Sequence, residues 1–578
     1  MARFGTGSWK PGRRWLAGLG FCCLVLAMLL PAARSLAATA TVTVGICRNA
    51  QAGICVTGPG AVVTLPMIQA QLRGDQAGLL VLEANGVWQL NATLFIDRGV
   101  TLNLTTETVT CLKLRSEANG FANLVTNDGN ININGVQIHS WDPGAGTFDT
   151  DISNGRSYVL AKYNARMEIR NAELSYLGAL QTQGYGVSWV DTDQENGTWR
   201  TRVTGLAINS DFHHNYYGIY TFQAANMTFR GNKFHHNISY GFDPHDYSHH
   251  MLVEDNEAFE NGLHGFIISR GCHDFIFRRN RSFDNGLATD TADRNAHGFM
   301  LDPGSPLFPK PQAPSYNNLL EDNHAWGNTG YGLRILRSHG NTIRNNVFEN
   351  HLQGITVELD STNNLLEGNT VTGNQLHGIF LRPGADGNTV RGNTVSRSGT
   401  NGIYVKSSNN TVIGNTVSDH GNRVNGTPEG SGILLLVESD TSTSVAGDFR
   451  LPTGVQATGD PELVGEPQAS VPTGNVVKEN TVARNAEHGI ELNGAVNTLV
   501  EANDVSANNI HGIYLKAGAS NNRLVKNTIY ANAAHGIRAS TANTAKNSWS
   551  ENVIYDNGAA GIIVTENANE GIQPPSIS

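Results

Sequence analysis

The sequence has little charge for its length, and acidic residues outnumber basic ones. Charged residues make up 16% of the 578 residues, with 50 acidic against 40 basic side chains. A chain of this balance is a poor general binder of nucleic acid or of anionic membranes. Any polyanionic ligand therefore needs a local concentration of positive charge.

Long apolar runs are also scarce, and the only one lies at the start of the chain. Arg13 and Arg14 precede WLAGLGFCCLVLAMLLPAA, which leads into the small-residue stretch ARSLAATA. This order is typical of a secretory signal peptide, predicted here as residues 1–37, with a signal anchor as the alternative. No later run of ~20 apolar residues exists, so we expect a periplasmic or secreted protein with no membrane span after cleavage.

Cysteines are few, which restricts disulfide and metal sites. Cys47 and Cys55 lie in the glycine-containing stretch ICRNAQAGIC, and we predict that they form a small N-terminal disulfide in an oxidising compartment. Their spacing matches no zinc pattern. Cys272 is predicted to be a free or buried thiol rather than a nucleophile.

Helical periodicity is missing from the repeats that fill most of the chain. The segments EDNEAFENGLHGFIISR, EGNTVTGNQLHGIFLRP and EANDVSANNIHGIYLKA share an asparagine that recurs every 22 to 25 residues between neighbouring repeats, at positions 256, 323, 345, 369, 393, 415, 480, 503, 527 and 552. A glycine follows nine residues later in almost every repeat. The alternating segments after it, such as GITVEL, indicate half-buried strands.

These repeats predict an all-β fold, a parallel β-helix with one coil per repeat. The absence of a helix after each strand argues against a leucine-rich repeat. Stacked asparagine amides are expected to hydrogen-bond along equivalent turns. We assign residues 38–155 to a cap and early coils, and residues 156–578 to the main β-helix. The segment 437–474, rich in Ser, Thr, Pro and Gly, is predicted to be an inserted loop.

The stretch YGFDPHDYSHH breaks the pattern of the repeat. Gly241 follows Asn232 by nine residues, so residues 232–250 form one coil. In other coils the first and third residues after the glycine are apolar and predicted to point inward. Asp243 and His245 occupy the second and fourth positions, so they are predicted to face outward, ~6.6 Å apart. Pro244 is unusual within a parallel sheet, which favours a functional site here.

The residue before each glycine indicates a structural column rather than a site. Tyr240 occupies this column, so a purely structural role is the alternative to a catalytic one. Six histidines hold the same position in other coils: His264, His297, His377, His488, His511 and His535. Among these, only His264 keeps a possible catalytic role, because its coil adjoins the motif.

Basic residues recur on the outward face beyond the motif. Arg270 follows the strand of the next coil, and further candidates for substrate binding are Tyr220, Asp302, Arg334, Arg337, Arg382 and Lys406. Aligned along one face of an acidic chain, the basic members predict a groove for an extended anionic polymer.

A histidine beside carboxylates can act as an acid or base near neutral pH. Asp243 is expected to orient the imidazole of His245 and raise its pKa, while Tyr240 offers a second proton-transferring group. A nearby guanidinium can bind a substrate carboxylate. This set suits removal of the proton α to a uronic acid carboxylate. The intermediate is then reprotonated from the other face, which is epimerisation, or loses its 4-substituent by β-elimination.

The stretch SYGFDPHDYSHHMLVEDNEAFENGLHGFIISR resembles the mannuronan C-5 epimerases of alginate-making bacteria, which carry YG-(F/I/V)-DPH-(D/E) in a right-handed parallel β-helix. The periplasmic branch is the more similar because it also has HG-x-IISR. The resemblance implies conversion of mannuronate to guluronate within polymannuronate, with export-complex proteins as possible partners. It implies His245 as the base, Arg270 as the group neutralising the carboxylate, Tyr240 or water as the acid, and Asp243 and Asp246 as further site residues.

Other functions stay open. A polyuronate lyase uses the same proton abstraction, and a non-catalytic polymer-binding or export scaffold is another class. A polygalacturonase-type hydrolase needs clustered aspartates in neighbouring coils and is disfavoured. A metal site formed by Asp243, His245, Asp246, His249 and His250 is disfavoured because alternating ligands rarely converge. We expect no cofactor; the calcium-binding nonapeptide modules of the secreted epimerases are absent, although a structural calcium ion stays open.

Overall fold

The computed structural model describes residues 41–48, 52–180, 183–195, 198–287, 295–304, 311–421, 430–437, 471–540 and 544–565. The predicted signal peptide and most of the predicted loop at 437–474 lie outside the described residues. Within the described part of the chain, no helix is long and apolar enough to cross a membrane.

The chain winds into coils, and each regular coil gives one strand to each of three long sheets. Sheet 1 will carry the site, and its 19 strands are Thr43–Arg48, Ala52–Thr57, Thr93–Ile96, Leu124–Asn127, Val159–Lys162, Gly186–Val190, Tyr217–Phe222, Phe242–His245, Phe266–Ser269, Phe299–Asp302, Tyr331–Leu336, Gln353–Glu358, Ile379–Leu381, Ile403–Val405, Ile433–Leu436, Ile490–Asn493, Ile513–Lys516, Ile537–Ala539 and Ile562–Val564. After the first antiparallel pair, neighbouring strands are parallel, which confirms the predicted parallel β-helix.

The other two sheets complete each coil. Sheet 2 contains Val62–Val63, Thr101–Thr105, Asn130–Asn134, Arg166–Arg170, Thr204–Ile208, Thr228–Arg230, Leu252–Glu254, Ile276–Arg278, Leu319–Glu321, Thr342–Arg344, Leu365–Glu367, Thr389–Arg391, Thr411–Ile413, Val476–Lys478, Leu499–Glu501, Arg523–Val525 and Ser548–Ser550. Sheet 3 contains Leu80–Ala84, Val87–Leu90, Cys111–Glu117, Gly120–Phe121, Gln137–Asp142, Thr147–Phe148, Glu173–Ser175, Asp211–His213, Lys233–His235, Glu257–Phe259, Arg281–Phe283, His324–Trp326, Val347–Glu349, Thr370–Thr372, Thr394–Ser396, Thr416–Ser418, Thr481–Ala483, Asp504–Ser506, Thr528–Tyr530 and Val553–Tyr555.

The core is a column of apolar side chains inside the coils. Ile355 pairs with Ile379, and Ile379 pairs with Ile403, so identical side chains stack from coil to coil. All three are fully buried in the main apolar cluster. Phe380, at the second position after its glycine, belongs instead to a separate cluster on the outer face. The predicted alternation of inward and outward positions is therefore confirmed.

A ladder of buried asparagines lies between sheets 2 and 3, as predicted. In Asn369, Nδ2 donates to Oδ1 of Asn393 at 2.9 Å and to the backbone oxygen of Ile343 at 2.9 Å. The ladder passes through Asn346, whose Nδ2 donates to Asn369. The prediction that Asn345 belongs to the ladder was wrong. In this coil the ladder residue, Asn346, precedes Gly354 by eight residues instead of the usual nine.

Charged residues of alternating sign form a column on the outer face of sheet 2. In register, the column runs Arg230, Glu254, Arg278, Glu321, Arg344, Glu367 and Arg391. Glu254 pairs with both neighbours, and its contact with Nε of Arg278 is 2.6 Å. Cross-strand pairs of opposite charge favour this register, since a shift by one coil would oppose like charges.

The N-terminal coils differ from the rest. Thr43–Arg48 and Ala52–Thr57 pair antiparallel, and Cys47 and Cys55 form the predicted disulfide. A short α-helix at Leu65–Gln69 begins with a proline in its first turn, and a 3-10 helix spans Gly74–Leu79. The short strands Gln194–Glu195 and Thr198–Trp199 form a separate antiparallel pair. Cys111 and Cys272 are buried free thiols, as predicted for Cys272.

Candidate functional site

Strand Phe242–His245 of sheet 1 holds the two motif residues on the outer face. It pairs with the preceding coil in a register that sets Asp243 beside Tyr220 and His245 beside Phe222. Phe242 lies at 0% exposure in the inner core. Asp243 and His245 therefore alternate with the core residues, and the structure places both on the face that the sequence predicted.

Pro244 lies within this strand and interrupts its pairing towards the next coil. Towards the next coil, the strand is paired only at Phe242 and Phe266, because the proline has no backbone N–H to continue the ladder. The chain then turns through two residues with positive φ, Asp246 at 27° and Tyr247 at 58°. This turn brings the carboxylate of Asp246 back beside the imidazole of His245.

The carboxylate of Asp246 connects the histidine to the arginine of the next coil. Its Oδ1 lies 2.6 Å from Nδ1 of His245, and its Oδ2 lies 3.5 Å from Nη1 of Arg270. The first contact has the length of a hydrogen bond but not its direction, so we describe it as an ion pair. Asp246 and Arg270 are both almost fully buried. We expected Asp243 to orient His245; Asp246 makes that contact instead.

Asp243 acts on the site through its charge. It is buried, and Oγ of Ser269 donates to its Oδ1 at 3.2 Å. Burial raises the pKa of this carboxyl to about 6, although the charge of His245 and the hydrogen bond from Ser269 oppose the rise. Its Oδ2 is buried without a hydrogen-bond partner in the described part of the chain. Near neutral pH the carboxyl group of Asp243 is mostly ionised, so this oxygen can accept a hydrogen bond within the site.

Three carboxylates together raise the pKa of His245. Burial is the largest single influence and lowers the pKa, but contact with Asp246 and the charges of Asp243, Asp246 and Asp302 raise it more. Burial also raises the pKa of Asp302, whose Oδ1 accepts a hydrogen bond from the backbone N–H of Gly304 at 2.9 Å. An imidazole with a pKa above its ordinary value accepts a proton readily and is suited to general base catalysis.

Aromatic rings stack across the coils beside this group. Tyr240 lies between Tyr217 and His264, with ring centroids 5.1 and 5.3 Å away. The stack continues to His297, whose backbone N–H donates to Nδ1 of His264 at 2.9 Å. Burial lowers the pKa of His264 to about 3, so this ring is neutral. His264 is therefore a member of the structural column, and Tyr240 occupies the same column at the edge of the site.

Tyr220 lies against the catalytic candidate. Its ring centroid is 5.6 Å from that of His245. Burial raises the pKa of Tyr220 well above its ordinary value, so the phenol stays protonated. Tyr185, from the stretch GYGVSW, packs against Tyr220 at 4.7 Å and was not predicted as a site residue. Together with Tyr217 these rings form an apolar wall on the outer face upstream of Asp243.

The predicted basic track is interrupted by the carboxylate of Glu358, which was not among the predicted site residues. Glu358 is buried and contacts Nε of Arg334 at 2.6 Å and Nε of Arg382 at 3.2 Å. The two guanidiniums hold the pKa of Glu358 below its usual range against the opposing effect of burial. Lys406 lies over the rings of Phe380 and Tyr404. The positive charge on this face is therefore smaller than the sequence suggested.

Arg337 directly follows its strand, Tyr331–Leu336, whereas Arg334 lies within that strand. It follows the strand, in the turn, with φ at 39°, and its Nη1 lies 3.9 Å from Asp360. It occupies the same position after its strand as Asp246 and Arg270 do after theirs, so its predicted role in substrate binding stays a prediction.

Gly304 packs directly on Arg270, a contact absent from the prediction. A Cβ atom at Gly304 would lie 2.5 Å from both Nε and Nη2 of Arg270, and its φ is +86°. The glycine therefore leaves room for the guanidinium. The sequence offers little indication of this contact, because the segment DPGSP at residues 302–306 is typical of an ordinary turn.

Comparison with known proteins agrees with this architecture. A family model described as "right handed beta helix region" matches residues 119–307 and 463–573, more than half of the chain. A model described as "periplasmic copper-binding protein (NosD)" matches residues 313–447. The crystal structure of the periplasmic alginate epimerase AlgG is similar with a TM-score of 0.53 at 20% identity, covering 61% of this chain and 82% of that one. At this identity the likeness shows the fold alone.

Several curated proteins share sequence with part of the chain. The mannuronan C5-epimerase of Pseudomonas syringae pv. tomato is 27% identical over 268 residues, 45% of this chain and 41% of that protein. The enzyme of Pseudomonas aeruginosa is 28% identical over 35% of this chain and 37% of its own length. Mannuronan C5-epimerase AlgG of Azotobacter vinelandii is 27% identical over 36% and 40%. The chain thus spans less than half the length of these relatives.

Proposed function

The chain belongs to the right-handed beta helix family, and on this scaffold we propose that it is an epimerase that converts β-D-mannuronate to α-L-guluronate residues within polymannuronate. The observation that carries the proposal is the carboxylate of Asp246 between His245 and Arg270 on the outer face of sheet 1. The partial similarity to proteins named mannuronan C5-epimerase supports it.

In the proposed reaction, His245 removes the proton at C-5 of a mannuronate residue. Its Nδ1 faces Asp246, so Nε2 accepts the proton. The electrons of the C–H bond move into the adjacent carboxylate, which becomes enolate-like. Arg270 lies beside the histidine and neutralises that carboxylate, while Asp246 stabilises the imidazolium that forms.

The second proton arrives at C-5 from the opposite face of the sugar. We assign this step to Tyr240, with water as the alternative donor. Tyr240 is held by the rings of Tyr217 and His264 at the edge of the site. Tyr220 then serves as a packing surface for the sugar, because its ring lies against His245 and its phenol stays protonated.

We assign the remaining outer-face residues to polymer binding. Arg334, Arg382 and Lys406 extend from the site across later coils of sheet 1. Asp302 lies on a coil between them and the motif, and Arg337 follows the strand that carries Arg334. Glu358 moderates their charge. A groove with moderate positive charge lets a long polyanion bind and shift along the coils without being held too tightly.

We propose that the protein works outside the cytoplasm, in the periplasm, alongside proteins that export the polymer. The support is the predicted leader, the disulfide between Cys47 and Cys55, and the periplasmic AlgG epimerase that shares its fold. The chemistry uses only side chains of this chain, and we propose no cofactor for it.

The test is incubation of the purified protein with polymannuronate in heavy water, followed by proton NMR. We expect guluronate carrying deuterium at C-5 and no shortening of the polymer. Unsaturated, ultraviolet-absorbing ends would instead identify a lyase. The His245→Ala variant should lose this exchange, whereas His324→Gln should not, since His324 also pairs with a carboxylate but lies on sheet 3. Full guluronate formation by His245→Ala would reject His245 as the base.

A further inference from the structure

Three metal-binding side chains converge at the turn that follows sheet 1 in two successive coils. They are His250, His273 and Asp274, and one donor atom from each lies within 4.8 Å of the other two. Nδ1 of His273 is 2.7 Å from Oδ2 of Asp274, and Nε2 of His250 is 3.8 Å from the same oxygen. Of the five residues in the disfavoured metal hypothesis, this cluster contains only His250.

Neighbouring side chains orient all three donors. The Nδ1 atoms of His249 and His250 lie 2.7 Å apart, so Nδ1 of His250 is engaged and its Nε2 faces the cluster. The strand ends at His245, so His249 and His250 do not alternate as strand residues would. The ring of His273 is stacked on that of His249 at 5.0 Å, and Asn317 donates to Oδ1 of Asp274. Such outer contacts fix the tautomer and direction of metal ligands.

The equivalent turns in neighbouring coils have no such pair. Bridges connect Ala225, His249, His273, Tyr316 and His339 in one column. The residues that follow them are Asn226, His250, Asp274, Asn317 and Gly340, each with positive φ. Asparagine and glycine suit that conformation, whereas His250 and Asp274 add donor atoms at the contact between two adjacent coils.

We propose that His250, His273 and Asp274 bind a divalent transition-metal ion, for which Zn²⁺ is the test ion. Two imidazoles and one carboxylate suit zinc, copper or nickel rather than calcium or magnesium, which prefer oxygen ligands. Zinc holds its ligands at about 2.0–2.2 Å. The donor atoms of His273 and His250 lie 2.7 and 3.8 Å from Oδ2 of Asp274, so all three side chains need small rotations to surround one ion. Three protein ligands leave a fourth position for water.

The ion would join the two coils that carry the site. His250 follows His245 in one coil, and His273 follows Arg270 in the next. The metal therefore cross-links the two coils, holds them in register and stabilises the fold. This inference does not depend on the proposed epimerase activity.

The experiment is a calorimetric titration of tag-free, chelator-treated full-length protein with Zn²⁺. We expect one equivalent to bind and the unfolding temperature to rise with Zn²⁺. His250→Asn should weaken that binding by at least about 100-fold, because loss of a ligand exceeds the 10–100-fold effect of an outer contact. Asparagine occupies the same turn position at 226 and 317, so this variant preserves the backbone.

The control is His236→Asn, which removes another exposed histidine at positive φ that is paired with Glu260. His236 follows a strand of sheet 3, whereas the cluster lies in the turn after sheet 1. It should bind Zn²⁺ as the wild type does. Absence of stoichiometric binding to the wild type, or unchanged binding by His250→Asn, would overturn the proposal. Should His250→Asn fail to fold, Asp274→Asn provides the same comparison, with the same two outcomes decisive.

Discussion

Replacing Asp246 by asparagine should move the pH dependence of epimerisation to lower pH. The base must be neutral to accept a proton, and the pKa of His245 is raised by its contact with Asp246 and by nearby carboxylates. Activity of the wild type should therefore fall as pH drops through a value above the ordinary histidine pKa. Removing the charge of Asp246 lowers the pKa of His245, so the acidic fall in kcat/KM shifts downward.

The size of the shift follows from the geometry. Two unit charges ~4 Å apart at an effective dielectric constant of ~20 interact by about 4 kcal/mol. That energy corresponds to a pKa change of about 3, at roughly 1.36 kcal/mol for each unit. Arg270 keeps its charge in the variant and so does not reduce the change, but solvent at the partly exposed ring of His245 screens the interaction. We therefore expect the apparent pKa to fall by about 1 to 2.

The assay is kcat/KM for deuterium incorporation at C-5, measured across pH 5 to 9 at constant ionic strength. Asp243, with a pKa of about 6, titrates in the same range, so the apparent pKa belongs to the cluster. Asp255→Asn is the control, since Asp255 is paired with Arg279 in the turns that follow two strands of sheet 2. An acidic limb that stays in place or moves to higher pH in Asp246→Asn would refute this account of His245.

Three further predictions concern the space beside Arg270, the charge of the groove and the stability of the fold. Gly304→Ala should lower kcat/KM at least tenfold by displacing Arg270, whereas Gly340→Ala, also at positive φ but with nothing near its Cβ position, should retain activity. Glu358→Gln adds net positive charge to the groove, so the polymer should bind more tightly and with a stronger salt dependence in direct binding assays. Asn369→Ala removes a buried rung and should destabilise the fold by about 2–4 kcal/mol in urea unfolding.

The repeat made the fold predictable. Asparagine and glycine at a regular spacing determine the coil length, and alternation after the glycine determines which side chains enter the core. That register alone placed Asp243 and His245 on the outer face. It also identified Tyr240 and His264 as members of a stacked column.

The contacts at strand ends were not predictable in the same way. Asp246 reaches His245 because the strand ends at His245 and the chain then turns back through positive φ. The pairing of Glu358 with Arg382 joins residues of two coils, and its strength depends on their burial. Such contacts depend on turn geometry and on the exclusion of water, neither of which is encoded in a local alternating pattern.

The alternating charges on sheet 2 bear on how such a protein changes length during evolution. The asparagine ladder repeats with every coil, so gain or loss of a single coil leaves it intact. The column from Arg230 to Arg391 repeats only with every second coil. Duplicating or deleting one coil there would set arginine beside arginine or glutamate beside glutamate, whereas a change of two coils preserves every opposite pair. In this region, the genetic unit that can be added or removed without an electrostatic penalty is therefore a pair of coils.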